Sequence, residues 1–214
     1  MKIHEHLTPC MQAILMMYNK GYTLHVTFRT AQEKLPALDA KWSEEFGIRL
    51  PPHARYHRKQ KGFANAVAMA GPVIAMPALA QVILMATPEA LRMPEASPWA
   101  RQEWVDRYPT FSNYRMIREL RENGENAMTW RLREEELEQF RKYLVTLAQG
   151  ANGRGIARVT AEAVRFHPMY GGVRRQLRRT LREIERLWRH LHQTPFPGWN
   201  SEALPKMIGF KTEG

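Results

Sequence analysis

The stretch from Gly172 to His192, GVRRQLRRTLREIERLWRHLH, constrains the chain more than any other. Val173, Leu177, Leu181, Ile184, Trp188 and Leu191 recur at spacings of three and four, so on an α-helix they form one apolar stripe. Such a stripe has to be covered, and the rest of the chain must therefore supply a body for a helix of nearly six turns. Between the apolar positions stand Arg174, Arg175, Arg178, Arg179, Arg182, Arg186 and Arg189, against Glu183 and Glu185 alone within the stretch. Four like-charge pairs, Arg174–Arg178, Arg175–Arg179, Arg178–Arg182 and Arg182–Arg186, fall at i,i+4, where they weaken a helix. A polyanion relieves that repulsion, and the planar guanidinium fork matches phosphate geometry.

Charge elsewhere sharpens the point. The chain carries a net +11, and residues 172–192 account for +5 of it, with seven Arg and two Glu. Residues 49–61 account for another +5, with Arg49, Arg55, Arg58, Lys59 and Lys61 and no acid. The remainder is nearly neutral. Charge of one sign held in two places points to DNA, RNA or another polyanionic partner rather than to general solubility. In the second segment Tyr56 lies among the basic residues, an arrangement that suits a single strand whose phosphates meet the charges and whose base stacks on the ring. A solvated basic loop is the alternative.

The chain between these segments reads as mixed secondary structure. Thr8-Pro9 opens a helix with Met11, Ile14, Leu15 and Tyr18 on one face and Gly21 as the stop. Residues Tyr22 to Arg29 alternate as a strand, and Thr30 with Glu33 forms a capping box ahead of a helix bearing Leu35, Leu38, Trp42 and Phe46. Pro36 places the regular start of that helix near itself. Two apolar runs, Phe63 to Ala70 and Leu79 to Ala86, read as strands, the second buried on both faces. Residues 98–108 suggest a short helix with Trp99 and Trp104. Asn123-Gly124 marks a hairpin across 114–132, followed by a helix with Glu134, Glu135 and Glu136 in its first turn.

The implied fold class is α+β: an antiparallel or mixed sheet of about four to five strands, helices on one face, and a C-terminal helical segment ending in the arginine helix. The layer pattern is that of ferredoxin-like or RNA-recognition sandwiches. The aromatic sheet motif of RNA-recognition domains is absent, so no family membership follows. The expected organisation is a body over 1–149, a glycine-rich hinge over 150–158, and a basic segment over 159–214 whose Pro/Trp tail packs back on the body.

One cysteine, Cys10, excludes internal disulfides and a cysteine-based zinc site. With no secretory leader evident, a cytoplasmic protein is expected. Gly71, Pro72 and Pro77 interrupt the uncharged stretch 62–88, so a membrane span is not expected there. His4-x-His6 and His190-x-His192 have ligand-like spacing without further ligands, and no cofactor fingerprint is present, so neither metal nor cofactor is implied.

These features predict a non-enzymatic nucleic-acid-binding protein. The contacting residues are Arg55, Tyr56, Arg58, Lys59, Lys61, Arg174, Arg175, Arg178, Arg179, Arg182, Arg186 and Arg189. The chain would act alone or as a subunit of a nucleoprotein complex, including that of a mobile element. One alternative is a metal-independent endoribonuclease using His25 or His57 as general acid or base. Another is an interaction module that docks an acidic protein.

Overall fold

The computed structural model describes residues 1–73, 76–88, 108–120 and 124–205. The short helix expected over 98–108 lies almost wholly outside them. The chain divides into two compact units, Met1–Ser112 and Asn113–Gly214.

In the first unit, β1 (Lys2–Ile3), α1 (Leu7–Asn19), β2 (Leu24–Ala31), α2 (Leu35–Phe46), α3 (Pro52–Gln60), β3 (Ala66–Pro72), β4 (Leu79–Ala86) and β5 (Thr110–Phe111) follow one another. Four strands form a mixed sheet in the order β1-β3-β4-β2, with β1 parallel to β3 and the other pairs antiparallel. All of β4 after Leu79 is buried, as its unbroken apolar run predicts. Its alternate residues Ala80, Val82, Leu84 and Ala86 join Ala66, Ala68 and Ala70 of β3 under Leu35, Trp42 and Phe46 of α2. The alanine rows lower one face of the sheet so that the indole of Trp42 reaches it, fully buried, with Phe28 edge-on at 5.8 Å. The helical cover extends to the second face as well. There a Cβ on Gly71 would stand 3.0 Å from Cys10 of α1, a tight contact that would push the two apart by a few tenths of an ångström, so glycine favours the close approach of the helix.

α2 begins at Leu35 with Pro36 in its first turn, after a short 3-10 turn over Gln32–Lys34. The expected Thr30–Glu33 capping box is not made: that 3-10 turn intervenes, and neither it nor α2 has a side-chain cap. The basic stretch after Pro51-Pro52 is a helix, α3, rather than an open loop, because Pro52 pre-sets the first helical turn.

In the second unit, β6 (Tyr114–Leu120) and β7 (Asn126–Leu132) pair as the expected antiparallel hairpin, from Tyr114 opposite Leu132 to Leu120 opposite Asn126. Gly124 takes φ +81°, the left-handed conformation that made it a turn signal. Then come α4 (Glu134–Gln149), α5 (Gly153–Phe166) and α6 (Gly171–His192). The glycine-rich segment expected as a hinge over 150–158 is helical from Gly153. Asn152 caps the helix by accepting from the Gly155 N–H at 2.8 Å, which offsets the flexibility of the two glycines. The tail through residue 205 folds onto α5 and α6. Trp188 Nε1 donates to Thr194 Oγ1 and to the Pro195 carbonyl, both at 3.1 Å, and the Trp199 N–H donates to Thr160 Oγ1 at 3.0 Å. The α+β class with a mixed sheet and a terminal arginine helix is thus present. Among the described residues no helix is long and apolar enough to cross a membrane.

Candidate functional site

The site begins with the way α6 is seated. Val173, Leu177, Leu181, Ile184 and Trp188 are buried, and each contributes about 1.5–3 kcal/mol by leaving water. Leu191, expected on the same stripe, is 45 % exposed because the helix runs past its support. Two polar residues, Gln176 and Thr180, lie on the buried face. The Gln176 amide works as a strand would: its Oε1 accepts from the Leu132 N–H at 2.8 Å and its Nε2 donates to the Leu132 carbonyl at 3.1 Å. The Gly172 N–H donates to Thr129 Oγ1 at 3.2 Å. A Cβ at Gly172 would meet the Trp130 carbonyl oxygen at 2.4 Å, so only glycine allows α6 to approach β7 this closely. The helix is therefore fixed in register against the hairpin.

With the apolar stripe fixed inward, the arginines are fixed outward. A groove of about 780 Å³ runs between α4 and α6 with the hairpin at one end. Its lining holds seven arginines (Arg131, Arg141, Arg175, Arg178, Arg179, Arg182 and Arg186) against Glu119, Glu134, Glu138 and Glu183, an excess of three positive charges. Five of the seven predicted helix arginines are here. Arg174 and Arg189 are not: Arg174 Nε is buried with no hydrogen-bond partner among the described residues, and Arg189 bonds Glu185 at 2.6 Å. Arg131 and Arg141 were not anticipated. Strand alternation already places Arg131 outward between the buried Trp130 and Leu132, whereas Arg141 required the α4–α6 packing to be known.

The groove is partly neutralised by carboxylates that sequence distance hid. Arg175 pairs with Glu119 of β6. Arg182 holds Glu202 of the tail, with Nε at 2.9 Å and Nη2 at 2.5 Å from one carboxylate oxygen, and Arg178 Nε lies 4.0 Å from the other. The Arg182 hydrogen bond keeps the Glu202 carboxyl below the ordinary carboxylate range. Arg141 bridges Glu138, through two bonds of 2.8 and 2.9 Å, and Glu183 at 2.9 Å. That contact likewise holds Glu138 in its charged form. Among the described residues Arg179 is exposed and no carboxylate pairs with it, and Arg186 bonds the Arg182 carbonyl, at 3.3 Å, and no carboxylate. The described lining residues supply fixed guanidinium cations and four carboxylates, with no His, Cys or Lys among them.

The second basic segment is built differently. Arg55 Nη2 donates to the Ile48 carbonyl and Arg58 Nε to the Ala64 carbonyl, both at 3.0 Å, and Arg58 lies over the Phe63 ring at 5.5 Å. Arg49 pairs with the buried Asp39. Tyr56 (61 % exposed), His57, Lys59 and Lys61 face outward from α3. His25 is 5 % exposed, opposite Met85 in the sheet, with Nδ1 3.5 Å from the Thr23 carbonyl. The strand alternation expected over 22–29 puts His25 on the face opposite Val26 and Phe28, and that face too is buried at His25. His192 Nε2 stands 2.7 Å from the Ala148 carbonyl and its ring lies 4.3 Å from that of Trp188, so it is a packing residue.

Compared with known proteins, the chain matches no family model, no curated protein and no solved structure.

Proposed function

We propose that the second unit binds the phosphate backbone of a nucleic acid along α6. The observation that supports this most is the groove lining: seven arginines against four glutamates, five of the arginines on α6, which is locked in register, with Arg179 and Arg186 unmatched by carboxylate among the described residues. On a helix with a rise of about 1.5 Å per residue, Arg175 and Arg179, and again Arg182 and Arg186, lie about 6 Å apart along the axis. This is a ladder of cations, and a ladder favours an extended polyanion over a single small anion. Backbone contacts of this kind position a ligand and carry little sequence information.

The contacting set differs from a count of basic residues. Arg175, Arg178, Arg179, Arg182 and Arg186 form the row, joined by Arg131. Arg55 and Arg58 serve the first unit's own loops, and Tyr56, Lys59 and Lys61 are exposed in that unit, outside the row. Burial disfavours His25, 5 % exposed on the edge strand β2, as a base for phosphodiester cleavage, whereas His57 is exposed on α3.

The test is titration of the full chain with single- and double-stranded DNA and RNA at several salt concentrations. Binding whose logarithm falls linearly with the logarithm of salt is expected. Arg179→Glu with Arg186→Glu should make that slope shallower by about one per arginine. An unchanged slope removes α6 from the interface. Binding to an acidic protein with none to nucleic acid moves the row to a protein partner.

A further inference from the structure

Glu202 is out of place on a surface that meets phosphates. It lies on the 3-10 turn Ser201–Ala203, on the same side as the arginine row. The turn is well held: the Glu202 N–H donates to Asn200 Oδ1 at 2.9 Å, the Ala203 N–H donates to the Asn200 carbonyl at 3.1 Å, and Ser201 and Leu204 on either side are buried. The backbone therefore delivers one carboxylate between two guanidinium groups. Arg182 grips it through Nε and Nη2, while Arg178 faces its other oxygen and also donates to the Ser201 carbonyl at 3.3 Å.

We propose that Glu202 is an internal occupant of a phosphate subsite, holding on Arg178 and Arg182 the place that a backbone phosphate takes in the complex. This rests on the nucleic-acid reading of the groove. A carboxylate and a phosphodiester each present two anionic oxygens and one negative charge to a guanidinium fork. Exchanging one for the other leaves the local charge balance unchanged, so the exchange is mild in either direction. Both side chains of the Glu202–Arg182 pair are more than half exposed, and an exposed pair is weak enough for a ligand to displace. Tethering by the buried turn keeps the carboxylate at a high effective concentration, so it returns when the ligand leaves. Arg179 and Arg186 then act as the open entry points, while Arg178 and Arg182 engage only a ligand that outcompetes Glu202. Short or sparse anions are refused at that pair, and a continuous backbone is accepted.

Glu202→Gln keeps the size and the hydrogen-bonding shape and removes the charge. In the same oligonucleotide titration it should bind about two- to fivefold more tightly than the parent chain. The gain should vanish in an Arg182→Gln background, because the occupant acts through that arginine. In the parent chain, hydrogen exchange at residues 201–203 should quicken when oligonucleotide is added. Equal gain with and without Arg182 makes Glu202 a distant negative charge and overturns the proposal. Unchanged affinity in Glu202→Gln, with Arg179→Glu and Arg186→Glu still weakening binding, overturns the proposal and leaves the groove reading standing. Absence of binding by every variant overturns the groove reading, and this one with it.

Discussion

Residues 49–61 and residues 172–192 each contribute +5 to the chain, and the structure treats them in opposite ways. In the first segment three arginines point back into their own unit, to the Ile48 and Ala64 carbonyls and to Asp39. In the second, five arginines line a groove whose seven arginines outnumber the four glutamates of its lining and Glu202 of the tail. The cause is the surroundings of each helix. α3 has no buried residue, so its long side chains are what tie it to the neighbouring loops. α6 is held by apolar residues and by Gln176, so its arginines are not needed to seat it. Net charge per segment measures supply, whereas availability depends on what else holds the helix down.

The hardest way to break the contrast is to unseat α6. Leu177→Ala should cost about 2–5 kcal/mol in denaturant unfolding, since it empties a fully packed position under the helix. Tyr56→Ala on α3 should cost less than about 0.5 kcal/mol, because the ring is already in water. Similar costs for the two would mean that α3 and α6 are anchored alike, and the account of why their arginines differ would fail.

Charge reversal tests the same contrast at the level of binding. Arg179→Glu with Arg186→Glu should weaken nucleic-acid binding about ten- to hundredfold at low salt, or about 1.4–2.8 kcal/mol. Tyr56→Ala with Lys61→Glu should stay within about threefold. A larger loss from the α3 pair would transfer the interface to the first unit.

Much of this was legible in the sequence, and the limits have physical reasons. Period and punctuation located β2, α2, β4, the hairpin and α6, because each depends on residues near one another in the chain: Pro36, the run Ala80 to Ala86, Gly124, the stripe from Val173 to Trp188. The arginine row was legible for the same reason. Its neutralisation was not. Glu119 and Glu202 reach Arg175 and Arg182 across tens of residues, and only the fold brings them together. The helical conformation of 153–158 was hidden because its glycines suggested freedom, while the cap at Asn152 acts through a single hydrogen bond. Burial of His25 was hidden because alternation shows that a strand has two faces without showing whether the second is covered.

A smaller effect separates structural arginines from binding ones. Arg58→Met keeps the stem that lies against Phe63 and removes the donor to the Ala64 carbonyl, so it should cost about 1 kcal/mol of stability. It should leave the salt slope of binding unchanged. A shallower slope would show Arg58 to be a phosphate ligand despite its internal bond, and the two segments would then differ in degree only.

The smallest expected effect concerns the joint that aims α6. His167 ends α5 and its Nδ1 lies 2.7 Å from the hydroxyl of Tyr114, a residue only 1 % exposed. Burial lowers the His167 pKa below 6.5, with the Glu136 charge opposing, and burial likewise pushes the Tyr114 hydroxyl up. The folded state therefore prefers neutral imidazole. Between the folded value and 6.5 the unfolded chain binds more protons at this site, so stability rises with pH there. The contribution of His167 is complete above about pH 6.5 and disappears as pH falls through the lowered folded value. Unfolding free energies measured from about pH 7.5 down to about pH 5 should decline less steeply in His167→Asn than in the parent chain, other groups cancelling in the difference. Parallel curves would mean that the imidazole is as free to protonate in the folded chain as in the unfolded one. The turn into α6 would then be set by Pro168 and Gly172 without the Tyr114 contact, and the arginine row would keep its aim at any pH at which the helix survives.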